Sequence, residues 1–121
     1  MISPFASILR KAVDSTPCAV GSAFAAADGE TVEHYSKWDG GDWALLTAHY
    51  GIVLHHVQKL LNTTHYGDTQ MLVVSHPKLE IMIRPVVEGY FAMIALEPPA
   101  PLAAAMSAIE GAATSLRQEM R

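Results

Sequence analysis

Apolar side chains recur at Phe5, Ile8, Leu9, Ala12 and Val13, while Ser7, Arg10, Lys11 and Asp14 fill the positions between them. That spacing is the 3.6-residue period of a helix with one buried face. Ser3 offers an oxygen to the orphan amides of a first turn, and Pro4 suits the first helical position, where a missing N–H costs nothing. Pro17 drives Thr16 out of helical geometry and ends the segment. From Cys18 to Ala27 the period falls to two, with Cys18, Val20, Ser22, Phe24 and Ala26 on one side and Ala19, Gly21, Ala23 and Ala25 on the other. Both sides are apolar or small, which predicts a strand covered on both faces, with Cys18 as a core thiol. Asp28-Gly29 predicts a two-residue type I′ turn into a second strand from Thr31 to Ser36. Glu33, His34 and Lys37 mark that strand as a sheet edge.

Asp39-Gly40-Gly41-Asp42 interrupts the pattern, and either aspartate suits the cap of a long helix from Trp43 to about Asn62. Leu46, Tyr50, Val53, Val57, Leu60 and Leu61 form its expected core stripe, with a second stripe of Leu45, His49, Ile52 and His56 beside it. Ala44, Ala48 and Gly51 align with His55 as a small-residue ridge that lets another helix come close. Three strands follow, about Thr69 to Ser75, Leu79 to Pro85 and Tyr90 to Glu97. The links between them are too short for parallel crossovers and require an antiparallel meander. After Pro98-Pro99-Ala100-Pro101 a third helix carries Leu102, Ala105, Met106, Ile109, Ala113, Leu116 and Met120 on its sheet-packing face. The order predicts an α/β fold with a five-stranded antiparallel sheet between helices, a three-layer sandwich forming one domain over residues 1–121.

With 121 residues the chain is long enough to bury its own core. Half of its residues are hydrophobic and 17% are charged, an apolar surplus that points to a buried partner surface. Eight Lys and Arg against 12 Asp and Glu, with no basic run, exclude a nucleic-acid footprint. A single cysteine forms no internal disulfide, which suits a reducing compartment, and no apolar stretch has the length of a membrane span. Met1-Ile2-Ser3-Pro4 does not open a signal peptide, so a cytoplasmic location is expected.

Candidate chemistry is sparse. His49 and His56 are two turns apart, wider than the i, i+3 or i+4 pairing of helical metal ligands, and no HExxH or flanking carboxylate completes a site. The histidines read better as interface residues, able to make association pH-dependent. Ser75-His76 has no nucleophile elbow and no group to orient the imidazole. No Walker or GxGxxG motif is present, so no cofactor and no bound nucleotide are expected. Arg84, imaginable as an arginine finger, lies within a strand and has little reach, which favours a structural or rim role. Of Trp38 and Trp43, one is expected to plug the core and the other to anchor a partner.

The order of elements, the small-residue strand after Pro17 with its Asp28-Gly29 turn, and the later strands Met71-Leu72-Val73-Val74, Leu79 to Arg84-Pro85 and Gly89-Tyr90-Phe91 resemble the Roadblock family of dynein-light-chain-like domains. The likeness covers nearly the whole chain, and Ile83-Arg84-Pro85 is most similar to the bacterial members. The approach to the second helix from Lys37 to Gly41 and the proline-rich Pro98 to Pro101 depart from the family's pattern. The resemblance implies that the first and third helices lie on one face of the sheet and the second on the other. It also implies a homodimer that pairs the third strand with its symmetry mate and sets the second helices side by side. Ala44, Ala48, Gly51, His55, Met71 and Val73 would line that interface. The function it implies is non-enzymatic: a scaffold or activator of a Ras-like small GTPase, bound through Leu45, Ile52, His56 and Lys59. The alternative is a small-ligand sensor of the PAS or profilin-like kind, which needs an enclosed pocket.

Overall fold

The computed structural model describes residues 3–38, 40–62 and 66–120. Its elements run α1 (Pro4–Asp14), β1 (Ala19–Ala26), β2 (Thr31–Ser36), α2 (Gly40–Leu61), β3 (Leu72–His76), β4 (Leu79–Val87), β5 (Tyr90–Leu96) and α3 (Leu102–Glu119). The strands form a five-stranded antiparallel sheet in the order β2-β1-β5-β4-β3, so the meander is present and β2 and β3 are the two edges. One core lies beneath α1 and α3 and contains Leu9, Val13, Phe24, Met82, Ile94, Leu96, Ile109 and Leu116. A second lies beneath α2 and contains Val20, Ala23, Trp43, Leu54, Ile81, Ile83, Phe91 and Met93. The three-layer sandwich and the side taken by each helix are therefore as expected.

Ser3 caps α1 by accepting from the Ala6 N–H at 3.0 Å, and Pro4 occupies the first turn. At the far end Thr16 turns its hydroxyl back to the Ala12 carbonyl, and the Ala19 N–H donates to the Thr16 carbonyl. This tight reversal puts Cys18 on its corner in the left-handed region at φ 69°. Cys18 is consequently exposed, not a core thiol, and β1 starts one residue later than its alternation suggests. β1 is buried on both sides, but a bulge at Val20 against β5 moves Val20 onto the side of Gly21, Ala23 and Ala25. The alternation read from sequence holds only from Gly21 onward.

The hairpin after β1 is also different from the expected type I′ turn. The Gly29 N–H donates to the Ala26 carbonyl and the Ala26 N–H to the Glu30 carbonyl, and Gly29 alone has a positive φ, 95°. This is a three-residue loop with a glycine bulge, held by Asp28 Oδ1 accepting from the Glu30 N–H at 3.0 Å. A second irregularity leaves Val32 of β2 without an opposite residue on β1.

α2 begins at Gly40, earlier than Trp43, and Asp42 lies in its first turn instead of capping it; the other proposed cap, Asp39, lies outside the described residues. First-turn amides have no intrahelical acceptor, so glycines there weaken the helix less than in its middle. Trp43 decides how the helix is rotated. Its indole is fully buried over Gly21, where an added Cβ would meet the ring at 3.0 Å, and its Nε1–H donates to the Ser22 carbonyl at 3.0 Å. The sheet-facing line is thus Trp43, Thr47, Gly51 and Leu54, flanked by Leu46, Tyr50 and Val57. Thr47 is buried with its hydroxyl on the Trp43 carbonyl. Val53, Leu60 and Leu61, expected in the core, are exposed. In α3, Leu102, Met106 and Met120 are likewise half-exposed and Ala112 is buried in their stead.

Trp43→Ala should lower unfolding stability by about 3–5 kcal/mol, the range for emptying a large aromatic site. Trp38 is 41% exposed and meets Trp43 edge-on at 5.9 Å between centroids. Its replacement by Ala should cost about 1 kcal/mol, so equal losses for the two variants in urea unfolding would contradict this placement of the core.

Candidate interaction surface

Half of the described side chains that α2 exposes are large and apolar. Leu45 is 58% exposed, Ile52 50% and Leu60 74%, with Val53, His49, His56 and Lys59 exposed among them. Helical spacing divides them into a crest of Leu45, Ile52 and Lys59 and a flank of His49, Val53, His56 and Leu60. The flank lies on the side of Leu46 and Tyr50, which pack against the same core as Leu72 and Val74 of β3. The Tyr50 hydroxyl reaches a short hydrogen bond with His76 Nε2 and ties the helix to the end of that strand. The flank and the β3 edge are therefore parts of one surface.

Each expected interface residue has a definite place. Gly51 is buried, and a Cβ there would stand 3.1 Å from the Phe91 ring. Ala48 packs over Gly29, where an added Cβ would lie 3.5 Å from its methyl group. Ala44 is half-buried, so the small-residue ridge seats α2 on its own hairpin and sheet and does not face outward. Thr47 faces the sheet as well. His55 is exposed on the hairpin side. Met71 packs on the core beneath α1 and α3, and Val73, on the same side of β3, is 43% exposed. Leu45, Ile52, His56 and Lys59 all lie on the outward surface, where Val53 and Leu60 join them. The helix is apolar around too much of its circumference for periodicity to rank the stripes; requiring burial of Trp43 would have done so.

The two sheet edges differ. β2 carries the bulge at Val32, whereas β3 pairs with β4 in unbroken register from Leu72↔Ile83 to His76↔Leu79. The outer amides and carbonyls of β3 form a regular ladder with no strand beyond them among the described residues. Arg84, half-buried, donates from Nη1 to the Gln70 carbonyl and so fixes the chain leading into β3. Its guanidinium is part of the frame.

Other features give little for ligand chemistry. A cleft of about 380 Å³ between α1 and α3 is lined by Ser7, Lys11, Ser107 and Gly111, which are exposed, and by half-buried Ser115. Among the described residues no three His, Cys, Asp or Glu are grouped to hold a metal ion, and no helix is long and apolar enough to cross a membrane.

A sheet with one long helix on one face, two on the other and the edge order β2 to β3 defines a class of α/β sandwich shared with known structures. A Roadblock/LC7 domain from Streptomyces avermitilis superposes with a TM-score of 0.85 over 94% of this chain and 95% of that one, at 13% identity. MglB from Myxococcus xanthus gives 0.87 over 98% and 95% at 9% identity, and MglC from Myxococcus xanthus 0.73 over 97% and 99% at 19% identity. The chain has the Roadblock fold. No family model and no curated protein matches its sequence.

Burial raises the Tyr50 hydroxyl above its ordinary value of 10. The folded chain then holds that proton more tightly than the unfolded chain, so this contribution is complete below pH 10 and is lost as pH rises through the raised value. Tyr50→Phe should cost no more than about 1 kcal/mol at neutral pH, through the hydrogen bond to His76. Above pH 10 its deficit relative to the wild type should shrink in urea unfolding; a constant deficit would show that burial of this hydroxyl has no energetic effect.

Proposed function

We propose that the chain is a non-catalytic Roadblock-type regulatory module that dimerises with its own copy and binds a Ras-like small GTPase in the cytoplasm. The observation that carries this reading is the continuity of the apolar α2 flank with the regular, unpaired edge of β3. Two-fold pairing of that edge would satisfy a row of backbone groups and cover Val53, His56 and Leu60 in one step. A symmetric interface of this kind leaves the crest of Leu45, Ile52 and Lys59 on each helix facing out, a mixed apolar and charged platform of the composition that suits a globular partner. Bacterial Roadblock domains, which the sequence resembles, serve small GTPases. The protein cores beneath both faces of the sheet are filled by aliphatic and aromatic side chains, which supports binding at the surface over a ligand chamber within. Recognition of the GTPase should depend on its nucleotide state, because its switch segments are what differ.

Light scattering should give the mass of two chains for the wild type and of one for a folded Val53→Glu variant. A wild-type mass of one chain would refute the dimer. In calorimetry against a Ras-like GTPase in its GTP and GDP forms, Ile52→Ala and Lys59→Glu should each weaken binding about tenfold or more, roughly 1.4 kcal/mol. Arg10→Ala, on the opposite face, should leave binding unchanged; a loss confined to Arg10→Ala would move the working surface to α1 and α3.

A further inference from the structure

The flank of α2 that meets the β3 edge combines imidazoles with a lack of negative charge. His49 and His56 are exposed there between Leu45, Ile52, Val53 and Leu60. Along α2 no Asp or Glu follows Asp42, and the nearest cation is Lys59 in the last turn. On the same face of the sheet β3 and β4 present Leu72, Val74, Leu79, Ile81 and Ile83, together with His76, which is engaged by Tyr50. Glu80 pairs with Ser75 across β3 and β4, in the alternate positions that face α3, and its carboxylate accepts the Ser75 hydroxyl. Lys78 sits in the hairpin between the strands and adds positive charge only. On the other side of α2 the β1–β2 hairpin, which packs beside Ala48, carries Asp28 and Glu30, so carboxylates lie on His55's side and not on that of His49 and His56.

We infer that dimerisation through this flank is switched by protonation of His49 and His56, the surface closing on a second copy when they are neutral and releasing it under mildly acidic conditions. The inference rests on the dimer proposed above and names its regulation. The occupant is a second copy because the flank continues into an unpaired strand edge in regular register, a combination that a two-fold axis satisfies on both sides at once. That symmetry doubles every charge. Four imidazolium groups would enter an apolar seam, and among the described residues neither protomer's flank supplies a carboxylate to meet them, so desolvation and mutual repulsion both oppose the protonated form. Imidazole as a class titrates near pH 6.5, which sets the window. For groups that must be neutral in the complex, affinity is full above that pH and falls as pH drops through it. With as many as four protons linked to one dissociation, the change is steep.

The test is sedimentation equilibrium by analytical ultracentrifugation from pH 7.5 to 5.5, on the wild type and on His49→Gln/His56→Gln, with far-UV circular dichroism to follow folding at each pH. Both side chains are exposed in the single chain, so the glutamines leave the monomer fold undisturbed. The wild-type dissociation constant should rise about 100-fold or more over this range, because several protons are linked to one dissociation, while that of the double variant should change less than about threefold. A wild-type dimer with constant affinity, or an equal pH dependence in the double variant, would overturn the switch while leaving the dimer standing. A single-chain mass at pH 7.5 would instead overturn the dimer, and the switch with it.

Discussion

The indole of Trp43 over Gly21 is the contact on which the arrangement of α2 depends. The ring lies where a Cβ at position 21 of β1 would press against it, and its N–H is spent on the Ser22 carbonyl, so both position and rotation about the helix axis are fixed near the first turn. Every later residue inherits that rotation through the helical period. Thr47, Gly51 and Leu54 fall onto the sheet, Gly51 comes close enough to touch Phe91, and the branched aliphatics one step around are turned toward solvent. The exposed apolar surface is thus a consequence of how the helix is seated at its N-terminal end.

Much of the architecture was legible because it is written in local patterns. The Ser3-Pro4 start, the period-two run of β1 and the short links of the meander each constrain one element with little ambiguity. The errors cluster where a long-range contact or a single extra residue overrides a period. One bulge at Val20 shifted two side chains of β1 to the other face, and the reversal at Thr16 moved Cys18 out of the core. In α2 the apolar residues outnumber the positions the sheet can cover, and a hydrophobic period alone does not say which of them are surplus.

The candidate surface was read in the same mixed way. Leu45, His49, Ile52 and His56, one stripe in the sequence, are exposed in the structure, as is Lys59. The small residues Ala44, Ala48 and Gly51 suggest room for another helix, but Ala48 makes room for the β1–β2 hairpin and Gly51 for Phe91 of the same chain. Small side chains announce close approach without naming the neighbour. The link from Tyr50 to His76 joins residues 26 positions apart and has no local signature at all.

The unequal edges of the sheet bear on the size that an assembly can reach. A strand that pairs at both ends of a sheet is bifunctional, like a monomer in a chain-growth reaction, and nothing in its geometry stops the addition of further copies. Here the bulge at Val32 disrupts the ladder at one end, while the regular β3 is left at the other. In the dimer proposed above, two copies would use up the regular β3 edges, and the joined sheet would end at either side in the bulged β2, which is a poorer template for a further strand.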